Sequence, residues 1–325
     1  MYASMTKPID IGQDLFDDAL MGIASPLRKL LYHDDNFQGK PEKTGWADGI
    51  KGFIHHRTED WSVAPQNIEA MDRQMIVWDF LLDHYFRSET TGWKRLPDSA
   101  SMLIGIHSGT WLTMDAWTLC AEWYRHFHGR RVLHGTAHDV LMAMPGLGTY
   151  FRNAGVIPAN RESVGAAFSA GHDVVIWPGG EVDSMRSWKK RDTVVLDGRK
   201  GFIRQAIRSG VPIVPVATTG GPDTVFVLSE GRTLAKILLL KKLFRCDMAP
   251  LILGFPFGIT LEAFPMHIPL PAKIRTEILE PVDITNDPDR VNDIAYVDKK
   301  YKEIESRIQE GVNRLAKKRR GWVFG

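Results

Sequence analysis

The chain has 325 residues, 44% hydrophobic and 25% charged, an ordinary globular composition with enough length for one large or two modest domains. Its net charge of +2 is too small to indicate nucleic acid, which calls for clustered Lys and Arg. The two cysteines, Cys120 and Cys246, are far apart and have neither CxxC nor Cys/His ligand spacing, which argues against a disulfide framework or structural zinc and fits a reducing, cytoplasmic setting.

The amino terminus carries Asp10, Asp14, Asp17 and Asp18 with no cationic-then-apolar segment, against a signal peptide, and no run approaches the ~20 apolar residues that cross a bilayer. Residues 1–95 read mainly as helix. From Asn67 to Arg87 the residues Ile68, Met71, Met75, Trp78, Leu81, Leu82 and Tyr85 recur at spacings of three and four. Between about 88 and 290, short β-rich runs (Met102–Ile106, Val174–Trp177, Ile213–Val216, Ile274–Ile278) alternate with helical stretches such as Lys200–Arg208, which Gly210 ends. That alternation predicts an α/β fold, a sheet covered by helices. The stretch from about Val291 to Lys318 is polar, with Ile304, Ile308, Val312 and Leu315 as one apolar stripe, and predicts a surface helix. The division expected is 1–95 helical, 96–290 α/β, and 291–325 a helix with a basic tail.

Chemistry concentrates where apolar runs end. Ile104-Gly105-Ile106 leads into His107-Ser108-Gly109 and then Asp115, a histidine and a carboxylate suited to general-base work with an orienting acid. Ser108 and Gly109 leave little bulk beside the imidazole. The other ten histidines lack this setting and read as surface or core residues, and the His126–His138 group has no metal-ligand pattern. A second run ends in Trp177-Pro178-Gly179-Gly180-Glu181, whose glycines let a backbone approach reacting groups or simply make a tight turn. Arg161 and Arg186 are candidates for a phosphate on a substrate or ordinary exposed arginines. Glu181 and Asp183 either position an acceptor hydroxyl or brace a helix start.

The order His107-Ser-Gly…Asp115, Gly155-Val-Ile-Pro-Ala-Asn-Arg161-Glu162, Trp177-Pro-Gly-Gly-Glu-Val-Asp183-Ser-Met-Arg186, Gly198-Arg-Lys-Gly-Phe202 and Val211-Pro-Ile-Val-Pro-Val216 resembles the glycerolipid (lysophospholipid) acyltransferase superfamily. It looks closest to the mono- and diacylglycerol acyltransferase branch and its bacterial relatives, over roughly residues 85–290. The resemblance implies a mixed sheet flanked by helices and an acyl-CoA or acyl-carrier-protein thioester as donor. The implied acceptor is a glycerolipid or related lipid hydroxyl, with His107 as base and no metal or redox cofactor. The superfamily's His-x4-Asp spacing is altered: position 112 is Leu, and Asp115, with seven residues between, is the next carboxylate. Asp115 is therefore the expected partner of His107. Pro178-Gly-Gly-Glu181 replaces the usual Pro-Glu-Gly-Thr-Arg, which points away from a phosphorylated acceptor, and Asp183 stands where relatives carry Glu.

Three segments suit peripheral contact with a membrane surface: an amphipathic stretch at 233–245, the apolar, Pro/Gly-broken 251–265, and the basic-aromatic end at 317–324. Two other function classes compete. A Ser/His hydrolase would need a nucleophile elbow, and no Gly-x-Ser-x-Gly occurs; a catalytically silent lipid carrier on the same fold would not need His107. Nucleotide enzymes are disfavoured by the lack of GxGxxG and GxxxxGK[ST].

Overall fold

The computed structural model describes residues 63, 66–137, 139–143, 146–237, 247–262 and 267–321. Expectations for residues 1–62, for the basic stretch 238–246, for 263–266 and for 322–325 lie outside the described residues. In chain order the helices are α1 (Ile68–Phe80), α2 (Met114–Phe127), α3 (Asp139–Ala143), α4 (Leu147–Asn153), α5 (Arg161–Ser169), α6 (Gly180–Ser184), α7 (Gly201–Ser209), α8 (Arg232–Ile237) and α9 (Ile294–Ala316). The strands are β1 (Glu89–Thr91), β2 (Met102–Ile104), β3 (Leu133–Ala137), β4 (Ile157–Pro158), β5 (Asp173–Ile176), β6 (Ile213–Thr219), β7 (Phe226–Ser229), β8 (Leu251–Gly254), β9 (Gly258–Leu261) and β10 (Arg275–Ile278).

Seven strands form one sheet in the order β1-β10-β6-β2-β5-β3-β4. The five from β6 to β4 are mutually parallel, whereas β10 runs antiparallel to β6 and carries β1 alongside it. The apolar runs are continuous because helices cover both faces, as parallel sheets require. Pleating sorts the side chains. Met102, Ile104, Val174, Ile213 and Ala217 face α5, α7 and α9. Leu103, Val175, Val214 and Val216 face the other way, onto Leu119 and Trp123 of α2. A separate antiparallel sheet, β7-β8-β9, follows the end of β6.

The periodic stretch after Asn67 is a helix whose first turn is capped by the Asn67 side chain, accepting from the Ala70 N–H at 3.0 Å; from Leu81 to Tyr85 it continues as a π-turn. The helical reading stops short of 95, because residues 89–91 pair in parallel with β10 as an edge strand. Helix α7 ends on Gly210 in the left-handed conformation, as its position requires. The predicted surface helix is α9, and its stripe is no surface feature: Ile304, Ile308 and Val312 are fully buried against the sheet. Gly311 permits the close approach, since a Cβ there would stand 2.5 Å from that of Ala217 on β6. Gly311→Ala is therefore expected to cost about 1–3 kcal/mol of stability by overpacking, read as a lower denaturation midpoint.

Candidate active site

The carboxyl ends of parallel strands are where open α/β sheets place their ligands. Here the neighbours β5, β2 and β6 deliver three turns to one edge: Trp177–Gly180, Gly105–Thr110 and Gly220–Thr224. Gly105 lets Trp177 pack close at the first crossing, where a Cβ would lie 3.2 Å from the indole nitrogen. The Trp177 ring in turn stacks on the His107 imidazole, with centroids 5.8 Å apart and planes 16° from parallel. The His107 side chain is 15% exposed.

The His107 peptide is gripped on both sides. Asp183, wholly buried in the short helix α6, accepts the His107 N–H at 2.7 Å. Arg186, also buried, donates to the His107 carbonyl at 2.9 Å, to the Asp183 carbonyl at 2.8 Å and to Asp183 Oδ1. A buried guanidinium and a buried carboxylate neutralise each other and both bind the main chain of one histidine, while Arg186 Nη2 reaches the Arg191 carbonyl at 3.4 Å and Nε has no partner. The tight turn into α6 depends on Gly179, where a Cβ would run into the Val195 carbonyl and Asp183.

Asp183 is also the carboxylate that faces the imidazole: its Oδ2 is 3.7 Å from His107 Nδ1, and Nδ1 is buried with no hydrogen-bond partner. This corrects the expectation for Asp115. That residue is buried in the first turn of α2, and its Oδ2 accepts from Ser108 Oγ at 2.7 Å while Oδ1 accepts from the Ala116 N–H at 2.9 Å. The seven intervening residues explain the difference. They turn through Gly109 (φ 98°) and Thr110 (φ 60°), which carries Asp115 under Ser108 rather than beside the imidazole. Gly221, at the end of β6, closes over this pair; a Cβ there would fall on Ser108 Oγ and Asp115 Oδ2.

The other sequence candidates separate. Arg186 fits neither alternative, phosphate ligand or ordinary exposed arginine, since its guanidinium is buried against Asp183 and the His107 carbonyl. Glu181 pairs with Arg199 at 3.2 Å, and the Arg199 guanidinium packs where a Cβ on Gly180 would sit. Arg161 is exposed at the start of α5, after β4. Strand order puts β4 three places from β2, about 14 Å at the usual strand spacing.

Burial lowers the His107 pKa to about 4, with the positive charges of Arg186 and Arg199 acting in the same direction. The imidazole is therefore unprotonated at neutral pH and able to accept a proton. Burial pushes the Asp183 carboxyl up, against the pull of Arg186 and of the His107 N–H, and pushes Asp115 up to about 6 despite its bond from Ser108. Among the described residues no group of three or more His, Cys, Asp or Glu is placed to hold a metal ion.

Sequence reasoning missed three side chains around this turn. Thr110 Oγ1 donates to Glu262 Oε1 at 2.9 Å, and His267 Nδ1 lies 2.7 Å from the same oxygen. The available signal was a lone carboxylate, Glu262, closing an apolar run, and His267 just after it. The missing information was that the run folds back to the His107 turn.

Residues 63–310 match the profile of the Diacylglycerol acyltransferase family. The chain belongs to this family. It is accordingly an O-acyltransferase acting on glycerolipids. An uncharacterised protein of Mycobacterium tuberculosis is 26% identical over 287 residues, 85% of this chain and 76% of its own length. Diacylglycerol O-acyltransferase 2 of Bos taurus is 28% identical over 155 residues, covering 46% of this chain and 42% of that enzyme. The crystal structure of the 1-acyl-sn-glycerophosphate acyltransferase of Thermotoga maritima aligns with a TM-score of 0.45 at 15% identity, over 82% of this chain and 89% of that one.

Within this diacylglycerol acyltransferase family member, Arg186→Gln removes one partner of a buried pair and should cost about 3–5 kcal/mol of stability, lowering the denaturation midpoint steeply. Arg161→Gln, at an exposed helix start, should leave the midpoint unchanged.

Proposed function

We propose that the protein transfers a fatty acyl group from a thioester of coenzyme A or acyl carrier protein to a hydroxyl of a glycerolipid or related lipid alcohol, with His107 as general base. The observation that carries this reading is an unprotonated, partly exposed imidazole at a strand end, whose peptide is fixed from both sides by Asp183 and Arg186. Nδ1 faces Asp183, which leaves Nε2 for the acceptor. The acceptor O–H gives its proton to Nε2 as its oxygen attacks the thioester carbonyl carbon. The new C–O bond forms, the C–S bond breaks, and the departing thiolate takes the proton back from the imidazolium. Asp183 stabilises that transient imidazolium, and contact with Nδ1 tightens as substrate closes the site. No acyl-enzyme is required, and the mechanism asks for no metal or redox cofactor. Ser108 has its hydroxyl on Asp115 and is buried, which suits a structural part better than a nucleophilic one.

The same reading gives the protein a lipid surface as partner. Exposed residues alternate with buried ones along β8 and with half-buried ones along β9, so Leu251, Leu253, Ile259 and Leu261 share an outer face, with Phe255 and Phe257 between the strands 60% and 62% exposed. Leu234 and Ile237 of α8 are also exposed. An apolar face of this extent in a chain that handles acyl groups fits peripheral seating on lipid. No described helix is long and apolar enough to cross a membrane. The basic tail contributes less than its sequence suggests. Arg319 is spent on Asp192, with bonds of 2.7 and 2.9 Å, although Lys317, Lys318 and Arg320 stay exposed.

Acyl transfer from labelled long-chain acyl-CoA to glycerol 3-phosphate, lysophosphatidate, monoacylglycerol, diacylglycerol and a long-chain alcohol tests the proposal. A lipid ester should form, and His107→Ala should reduce its rate by about 10²–10⁴-fold. Lipid binding without turnover, unchanged in His107→Ala, would support a carrier instead; donor hydrolysis without ester would support a hydrolase. Because protonation blocks the base, kcat/KM should stay level on acidification past the ordinary histidine value and fall only as pH approaches about 4. An acid limb centred near 6.5 would contradict the burial argument. Phe255→Ser with Phe257→Ser should weaken co-sedimentation with phosphatidylcholine vesicles while leaving the denaturation midpoint in place.

A further inference from the structure

Outside the gripped histidine, the described polar group that most needs an explanation is the pair Glu262–His267. Glu262 stands just past β9 and is 1% exposed; His267 is 5% exposed. Their contact, His267 Nδ1 to Glu262 Oε1 at 2.7 Å, leaves Glu262 Oε2 and His267 Nε2 buried with no hydrogen-bond partner. Burying a carboxylate with an unpaired oxygen is costly, and an apolar pair of the same shape would fill the space without that cost. The partner that gives the pair a purpose is Thr110.

Thr110 lies three residues after His107, at φ 60°. A β-branched residue in the left-handed region is strained and persists only where its surroundings hold it there. Two contacts hold this one. Its N–H donates to the Ser184 carbonyl at 2.9 Å, next to Asp183, and its hydroxyl, which also lies 2.7 Å from the Gly109 carbonyl within the same turn, reaches out of the turn to Glu262 Oε1 at 2.9 Å. Beside it, the Trp111 indole N–H reaches the Glu262 carbonyl at 3.4 Å. Gly109 is packed in as well, since a Cβ there would meet the Leu112 carbonyl and Thr224 Oγ1 at 2.9 Å.

We propose that Glu262, oriented by His267, is a positioning residue for acyl transfer: through Thr110 it fixes the strained turn that follows His107. The assignment rests on His107 being the base. Asp183 and Arg186 hold the His107 peptide from the α6 side, and Glu262 holds the turn three residues on from the side of the small sheet. Glu262 touches neither the imidazole nor any reacting atom, so its contribution passes through Thr110. The strain at Thr110 is what makes the contact matter. Without Glu262 the hydroxyl keeps only the Gly109 carbonyl, which belongs to the same turn and anchors it to nothing, so the turn is free to relax toward ordinary backbone angles and carry His107 out of line.

The test uses the full chain, phosphatidylcholine vesicles carrying the acceptor that proves productive, and long-chain acyl-CoA. Thr110→Val keeps the branched shape and loses the hydroxyl; Thr110→Ser keeps the hydroxyl; Thr110→Val with Glu262→Met removes both partners of the bond. The expected result is a drop in kcat of roughly tenfold in Thr110→Val, with KM for the donor within about twofold and near wild-type turnover in Thr110→Ser. In the double variant, stability returns toward wild type only in part, because the buried His267 loses its Glu262 partner, while kcat stays low. A purely structural bond predicts the opposite for the double variant, recovery of kcat together with stability, and that result would overturn the proposal. So would wild-type kcat in folded Thr110→Val. If Thr110→Val does not fold, the double variant against Thr110→Ser carries the same comparison. His107→Ala run in parallel separates the two claims. Turnover that survives it removes the acyl-transfer reading, whereas turnover that needs His107 and ignores the Thr110 hydroxyl removes only the role of Glu262.

Discussion

The hold of Asp183 and Arg186 on the His107 peptide is the constraint on which the rest of the site depends. Two ionic groups with almost no exposure are expensive to bury, and their mutual attraction repays that only when the remaining donors and acceptors are also used. Here most are used, on the N–H and the carbonyl of His107 and on the Asp183 and Arg191 carbonyls, with Arg186 Nε left without a partner. The histidine emerges from β2 into a turn that no ladder supports, and the pair replaces the missing strand neighbours with side-chain partners. The same burial that makes the pair costly extends to most of the imidazole and favours its neutral form. Position and basicity therefore have one physical origin.

Strand order explains why the grip is possible. Asp183 and Arg186 come 76 and 79 residues after His107 in the chain, yet β5 lies directly beside β2. On the opposite side β6 brings in Gly221, whose lack of a side chain leaves room for Ser108 and Asp115. The helices serve the sheet by filling both faces, and α9, from the far end of the chain, seals the face under β6. The small sheet continues from β6 and returns Glu262 to the same turn. The site is thus assembled from strand ends, with only Asp115 delivered from a helix longer than α6.

Much of the fold was legible because burial on both faces writes itself into a sequence as short apolar runs punctuated by glycine and proline. Met102–Ile104, Val174–Ile176 and Ile213–Val216 were visible for that reason, as was the stripe of α9. The stripe's destination was not, since Ile304 and Ile308 look the same on a surface helix and on a core one. His107 was legible from its place at a strand end. Its carboxylate was not, because spacing along the chain favours Asp115, eight residues on, and says nothing about which neighbouring strand supplies a closer acid. Arg186 and Arg319 misled in a common way: an arginine reads as exposed until a buried or half-buried acid claims it, Asp183 in one case and Asp192 in the other. Residues 251–265 read as a broken apolar segment, and within its described part Pro256 sits in the turn of a hairpin whose second strand opens on Gly258.

The most direct test of this account is a crystal structure with a non-hydrolysable acyl-CoA thioether and a lipid alcohol bound together. The account predicts the alcohol oxygen at about 3 Å from His107 Nε2, the donor carbon in line with it, and Asp183 within hydrogen-bond reach of Nδ1. An alcohol oxygen seated on Ser108, or an acyl group bound away from the end of β2, would contradict it.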